Sequence, residues 1–256
     1  MQINTWFEET NKPEAQTRDE RTQEEAPPKP PPAPQGPGRR VQTVEVAIFL
    51  LLIVPSMSAS FLANAQGGIG FVGTAVLSML NDLGEVGLVL YFIWRNSEPL
   101  QRIGWTLQRL PVELAWGVVL YFPIIYATAW VERALLSIGL TAPSKMPSML
   151  VAGSHAQIVL AVLLVIVVAI VEETVFRGYL LLRLEAVTRR PWAAVLLSSL
   201  VFSIGHGYEG TAGVIRIFFL GIFLSVTYLW RRSLIAPMVI HFIIDFSSIV
   251  LTALLK

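Results

Sequence analysis

The chain has 256 residues, of which 54% are hydrophobic and only 14% are charged. Soluble domains average about 25% charged residues, so the composition excludes an ordinary soluble protein and predicts a polytopic membrane protein. The net charge of +1 gives no reason to expect a nucleic-acid partner, and the absence of cysteine excludes disulfides, thiolate zinc sites and a cysteine nucleophile.

The first forty residues are polar and rich in proline. They carry seven acidic and six basic side chains, and seven prolines fall between Pro27 and Pro37. Such a segment cannot bury enough apolar surface to fold, so we predict that residues 1–40 form a disordered, Pro-rich cytoplasmic tail. No signal peptide is visible there, and we expect the first transmembrane helix to direct the chain to the membrane.

Seven apolar segments follow and predict a transmembrane helical domain over residues 41–256. Most of them approach the roughly 20 residues that a helix needs to cross a bilayer. They cover residues 44–62, 71–94, 111–131, 157–182, 191–204, 213–230 and 234–255. Polar residues at 81–85 interrupt the second segment, as a helix break facing a cavity or as a polar patch on one long helix. The predicted fold is therefore an all-α, polytopic transmembrane helical bundle of seven to eight spans.

Arginines gather at alternate ends of these segments, as the positive-inside rule requires of cytoplasmic ends. The arginine groups are Arg39 and Arg40; Arg95, Arg102 and Arg109; Arg183, Arg189 and Arg190; and Arg231 and Arg232. Lys145 and Lys256 fall at the other ends. We therefore predict a multi-pass protein of the cell membrane with a cytoplasmic N-terminus. The short sequence and the proline-rich tail favour a bacterial inner membrane.

Three charged side chains lie inside the fourth predicted span, directly after the unbroken apolar run 158–171. An ionised side chain at the centre of a membrane helix costs roughly 2.5–3.5 kcal/mol on insertion scales, and such charges usually mark a working site. Glu173 and Arg177 are four residues apart and can pair on one helical face. Glu172 lies about 100° away on an α-helix and stays available for proton chemistry. The alternative is a structural ion-pair cluster that locks helix packing.

Histidines supply further candidates. His241 and Asp245 share one face of the last span, where the carboxylate can orient the imidazole. At about 1.5 Å per residue from the nearest arginines, Glu173, His241 and Asp245 lie roughly 15, 13 and 20 Å deep. His206 lies about 24 Å deep on this scale and is the outlier. We nevertheless expect these groups, from three helices, to meet at similar depth.

Glutamate and histidine, without a thiol or a cofactor motif, suit the activation of water as a nucleophile. A glutamate can take a proton from water and return it to a leaving amine. The chain has no His-Glu-x-x-His helix, the usual zinc-protease motif. These residue types therefore favour a hydrolase that activates water, and the usual zinc helix is missing.

Three motifs resemble, in order, those of the CPBP family, the ABI or type II CAAX prenyl protease group. They are Glu172-Glu173-x-x-x-Arg177, Phe202-x-x-x-His206 and His241-x-x-x-Asp245. The resemblance covers roughly residues 110–250, which we take as the protease core. It implies an intramembrane glutamic endopeptidase built as an all-helical bundle.

The resemblance also implies a role for each motif residue. Glu172 would be the general base, and His206 would help to position the water. His241 and Asp245 would form the oxyanion site, although an ionised aspartate cannot donate a hydrogen bond to an oxyanion. The residues that would support the site are Glu173, Arg177 and Phe202.

The sequence leaves alternatives open for the cofactor, the substrate and the function. Family members have also been described as metalloproteases, because a glutamate and two histidines could ligate zinc; we expect no cofactor and no metal site. The expected partners are a membrane-embedded or membrane-associated peptide substrate and the lipid bilayer. Two other classes remain, a catalytically idle scaffold or immunity protein of the same fold and a proton-coupled transporter. Against the transporter, no inverted repeat is evident.

Overall fold

The computed structural model describes residues 36–62 and 69–255. The predicted disordered tail, residues 1–40, therefore lies almost entirely outside the described residues. The described part of that segment begins at Gly36, and the first helix already begins at Arg39, within the predicted tail.

Helices make up nearly all of the described chain. The α-helices are α1 (Arg39–Ser58), α2 (Gly70–Arg95), α3 (Leu110–Ser137), α4 (His155–Glu172), α5 (Leu181–Thr188), α6 (Pro191–Ile204), α7 (Gly210–Arg231), α8 (Ile235–Asp245) and α9 (Thr252–Leu254). Two π-helical segments, Glu173–Leu180 and Phe246–Leu251, join α4 to α5 and α8 to α9. The prediction of an all-α transmembrane bundle is confirmed.

Six helical stretches in the described residues are long and apolar enough to cross a membrane, and α6 is a shorter apolar helix. These are the seven predicted segments. The second segment is one continuous helix, α2, so the eight-span alternative is not seen. Residues 81–85 are a polar patch on that helix, because the backbone hydrogen bonding runs through them without a break.

The centre of the bundle is formed by the α4–α5 stretch and α7. In the 18-residue apolar stretch taken from each, 44% and 50% of the residues are buried. The corresponding shares in the first three spans are only 17–22%. Large apolar side chains on the outer helices are exposed, among them Leu51, Trp94 and Tyr126. An apolar surface of this extent fits contact with lipid and not with water.

Chain direction places the arginine-bearing helix ends on one face of the bundle, which we call the arginine face. Arg39, at the start of α1, donates to the carbonyl oxygen of Val187 near the end of α5, at 2.7 Å. Arg231, at the end of α7, donates to Glu113 at the start of α3, also at 2.7 Å. The opposite ends of these helices form the other face.

Arg183 differs from the expectation that it marks a solvated helix end. Its side chain is fully buried, with Nε 3.1 Å from Glu45 and Nη2 2.5 Å from Glu98. The Tyr179 hydroxyl donates to the same Glu45 carboxylate. A buried arginine requires such partners, and this network joins α1, the end of α2 and α5 just beneath the arginine face.

Candidate active site

The carboxylate–arginine pair lies in the π-helical segment that continues α4. Arg177 Nη1 donates to Glu173 Oε1 at 2.7 Å, and both side chains are at most 1% exposed. The predicted pairing of these two residues is therefore present. The predicted angle between Glu172 and Glu173 assumed an α-helix throughout, whereas Glu173 begins a π-helix. Single π turns inside α-helices are frequent at functional sites.

His241, on α8, contacts three carboxylates. Its Nδ1 lies 2.8 Å from Glu173 Oε1, a hydrogen bond between buried side chains. Its Nε2 lies 3.4 Å from Asp245 Oδ2 and 3.6 Å from Glu172 Oε2. Glu173 thus fixes the ring orientation, and Nε2 faces the two carboxylates that are partly exposed. The sequence paired His241 with Asp245 but gave no sign of its contact with Glu173.

Phe202, on α6, packs between the charged groups. The Arg177 guanidinium carbon lies 4.1 Å from the centre of its ring, a cation–π contact. The ring is also edge-on to His241, with centroids 6.1 Å apart, and its backbone carbonyl lies 3.2 Å from His206 Nδ1. Phe202 therefore touches both histidines and the arginine, which explains a phenylalanine at this position.

His206 follows the end of α6, before the 3₁₀ turn Gly207–Glu209. Its ring stacks at an angle against Phe202 and Tyr208, with centroids 5.0 and 5.9 Å away. It lines the same cavity as Glu172 and His241 without a direct bond to either being seen. The motif residues therefore meet around one shared cavity, and Phe202 lies between the rings of His206 and His241.

A cavity of about 930 Å³ brings these groups together. Glu172, His206, His241 and Asp245 all line it. Its outer wall comes from helix ends and loops on the face opposite the arginines, among them Ser60, Ile69, Glu132, Lys145 and Glu209. The cavity therefore reaches the motif residues from that opposite face.

Several buried polar atoms of the first motif lack a hydrogen-bond partner, and of their residues Glu172 lines the cavity. Glu172 Oε2, Glu173 Oε2 and Arg177 Nη2 are buried and form no hydrogen bond. Unsatisfied buried polar groups are rare and each asks for an explanation. At a hydrolytic site, a carboxylate oxygen with a free lone pair can accept a proton or a hydrogen bond from a reacting water.

Two acidic residues of α2 complete the cavity wall and were not among the predicted site residues. Asp82 and Glu85 line the same cavity as Glu172 and His241. The interruption in the second apolar segment was the signal that pointed to them, as one of its two readings placed it against a cavity. Among the described residues, no group of three or more His, Asp or Glu side chains is arranged to hold a metal ion.

Comparison with known proteins bears on residues 154–247, which match the family model described as Type II CAAX prenyl endopeptidase Rce1-like. No curated protein and no solved structure matches the chain. The matched segment runs from the start of α4 to just beyond α8, and it contains all three motifs. The matched family is a protease family. The predicted resemblance to the CPBP/CAAX protease family is confirmed over residues 154–247.

Proposed function

We propose that this protein is an intramembrane endopeptidase, which hydrolyses a peptide bond of a membrane-embedded or membrane-associated protein or peptide. One observation carries the proposal: Glu172, His206, His241 and Asp245 line a single cavity within the bundle. Those four residues come from three motifs on different helices. Packing alone gives no reason to gather so many titratable side chains around open space inside an apolar bundle.

Glu172 is the proposed general base. Its Oε2 atom lies 3.6 Å from His241 Nε2 and has no hydrogen-bond partner, so a water molecule has an acceptor there. Glu172 takes a proton as the water oxygen bonds to the peptide carbonyl carbon. When the tetrahedral intermediate collapses, the C–N bond breaks and Glu172 returns the proton to the leaving nitrogen. The products are a carboxylate and an amine.

His241 is the proposed donor to the oxyanion. Its Nδ1–H bond to Glu173 holds the ring, and Nε2 then points toward Glu172 and Asp245 at the cavity. A donor fixed before the reaction stabilises the charge that develops on the carbonyl oxygen. Asp245 positions this nitrogen, and Arg177 with Phe202 holds Glu173 in place. His206 lines the same cavity and is the proposed group that binds the water or the substrate backbone.

The face of the bundle on which the cavity opens determines from which side of the membrane a substrate enters. The cavity opens away from the arginine face, and arginine-rich ends are cytoplasmic by the positive-inside rule. With the N-terminus in the cytoplasm, a substrate therefore reaches Glu172 from the outer side of the cell membrane. The proposed substrates are therefore exported or membrane-anchored peptides of a bacterial inner membrane.

The test is comparative proteomics of membranes from cells that carry wild type or Glu172→Gln. We expect one or more membrane-associated precursors to accumulate with Glu172→Gln and to be shortened with wild type. Glu185→Gln is the matched control, because it removes one carboxylate of α5 near the arginine face and should process normally. Equal processing by wild type and Glu172→Gln would refute the assignment of Glu172 as the general base.

A further inference from the structure

Asp82 occupies an unusual position for an aspartate in a membrane helix. It lies in the middle of α2, is only 7% exposed, and its side chain lines the cavity that holds Glu172 and His241. Its Oδ2 atom is buried and forms no hydrogen bond. A buried carboxylate without a partner costs several kcal/mol in an apolar environment, so this oxygen is placed for something other than packing.

Glu85, one helical turn further along, lines the cavity beside Asp82. Asn81 donates to its Oε1 atom at 2.7 Å, a neutral hydrogen bond that holds the carboxylate without neutralising it. In the described residues, neither Asp82 nor Glu85 has a lysine, arginine or histidine nitrogen within 4.0 Å. Within the described part of the chain, the two carboxylates thus face the cavity without an ion-pair partner.

The helices that pack against α2 do not supply that cation. α4, its main neighbour, contains no lysine or arginine, and Arg177 of the following π-helical segment pairs with Glu173. At the mouth of the cavity, its open end on the face opposite the arginines, Arg216 bridges Glu209 and Glu132. The nitrogen–oxygen distances are 2.5 and 3.7 Å. The acids at the mouth are therefore compensated, whereas those on α2 are not.

The whole cavity has an excess of acidic groups. Its acidic lining residues are Asp82, Glu85, Glu132, Glu172, Glu209 and Asp245, and its lysine and arginine lining residues are Lys145 and Arg216. A concave, low-dielectric site lined by one sign of charge attracts the opposite sign. A positively charged group entering this cavity finds its best partners at the carboxylates that have none, on α2.

We propose that Asp82 and Glu85 form a subsite that binds a cationic side chain, lysine or arginine, of the peptide substrate. The proposal rests on the proposed peptidase function, because it takes the occupant of the cavity to be a peptide. Measured along their helices from the face of the mouth, Asp82 lies about 18 Å deep and Glu172 about 26 Å. A chain that reaches Glu172 thus passes the α2 carboxylates, and a basic residue a short distance from the scissile bond contacts them.

This subsite gives the enzyme a preference that the motif residues do not explain. Asp82 and Glu85 lie outside residues 154–247, so the general base and the oxyanion donor belong to the matched segment and the cation subsite does not. An ammonium or guanidinium group bound there exchanges water for two carboxylates in an enclosed site. A charge-assisted bond of this kind discriminates strongly against a neutral side chain of the same length.

The test measures peptide binding and not cleavage. The full chain carrying Glu172→Gln is placed in phosphatidylcholine nanodiscs, so that bound peptide is not consumed and anionic lipid does not compete. The probes are three fluorescent Leu/Ala helical peptides, identical except for one lysine, Nε-acetyl-lysine or norleucine at a scanned position. At the best position we expect lysine to bind about tenfold more tightly than either neutral residue.

Adding Asp82→Asn to this protein should bring the three peptides to within about twofold of one another, and adding Glu185→Gln should leave the lysine preference intact. If Asp82→Asn does not fold, Glu85→Gln is expected to reduce the preference as well. No lysine preference in the starting protein, or a preference that survives both changes, would overturn the subsite. A failure of the peptidase function alone would show as lysine-selective binding without cleavage by the wild-type protein.

Discussion

His241 Nδ1 lies 2.8 Å from Oε1 of Glu173, which joins α8 to the π-helical segment across 68 positions of sequence. The same oxygen accepts from Arg177 at 2.7 Å. One buried carboxylate therefore serves as the common anchor of an arginine and a histidine. Glu172, the preceding residue, is left at the cavity. The two adjacent glutamates thus hold different positions, one inside the packing and one beside open space.

Glu173→Gln should destabilise the fold more than Glu172→Gln. The change leaves Arg177 buried without a counter-charge, and breaking one side of a buried pair costs about 3–5 kcal/mol. Thermal unfolding of both variants in detergent measures the difference, and we expect a clearly lower Tm for Glu173→Gln alone. Equal Tm values would mean that Glu173 does not hold the site together.

Asp245→Asn should retain processing within about tenfold of wild type, whereas Asp245→Leu should lose about 100-fold or more, the cost of an oxyanion-type interaction. An asparagine can still hydrogen-bond His241 Nε2, which lies 3.4 Å from the present carboxylate, and leucine cannot. Initial rates of cleavage of one identified substrate distinguish the Asp245→Asn variant from the Asp245→Leu variant. A large loss with asparagine would instead assign Asp245 a role that requires its charge.

Gly178→Ala should destabilise the protein because the π-helical segment packs closely on the 3₁₀ turn Leu100–Ile103, which precedes α3. A Cβ at Gly178 would lie 2.7 Å from the backbone oxygen of Ile103, which cannot easily move. Overpacking of this kind typically costs 1–3 kcal/mol. Gly87→Ala is the control, since a Cβ there meets nothing within 4 Å and alanine favours the helix. Unfolding curves of the two variants should therefore shift in opposite directions.

The direction of the cavity is open to a labelling test because the chain contains no cysteine. Ser144→Cys, in the exposed loop at the mouth, should react with a membrane-impermeant maleimide added to intact cells. Gln108→Cys, in the exposed turn before α3, should react only after the membrane is opened. The reverse pattern would place the mouth of the cavity in the cytoplasm.

Much of the fold could be read from the sequence, because apolar segments near bilayer length predict helices with little ambiguity. The continuity of α2 could not, since a polar patch such as residues 81–85 looks the same in a break and in a helix. Arg183 was misjudged for a related reason. Its partners, Glu45 and Glu98, come from distant parts of the chain, and no local pattern predicts their approach.

The site divides in the same way. The pairs at spacing four, Glu173 with Arg177 and His241 with Asp245, follow from helical geometry and are present in the structure. The contact of His241 with Glu173 depends on how α8 packs against the π-helical segment. The position of Asp82 on the cavity wall depends likewise on the packing of α2.

The central claim is that Glu172 activates water for peptide hydrolysis. The most direct measurement uses purified wild-type and Glu172→Gln protein in proteoliposomes, each mixed with solubilised membrane proteins in ¹⁸O-labelled water. We predict new peptide termini that carry ¹⁸O in their carboxylates with wild type, and none above background with Glu172→Gln. Labelled termini formed equally by both proteins, or by neither, would contradict the claim.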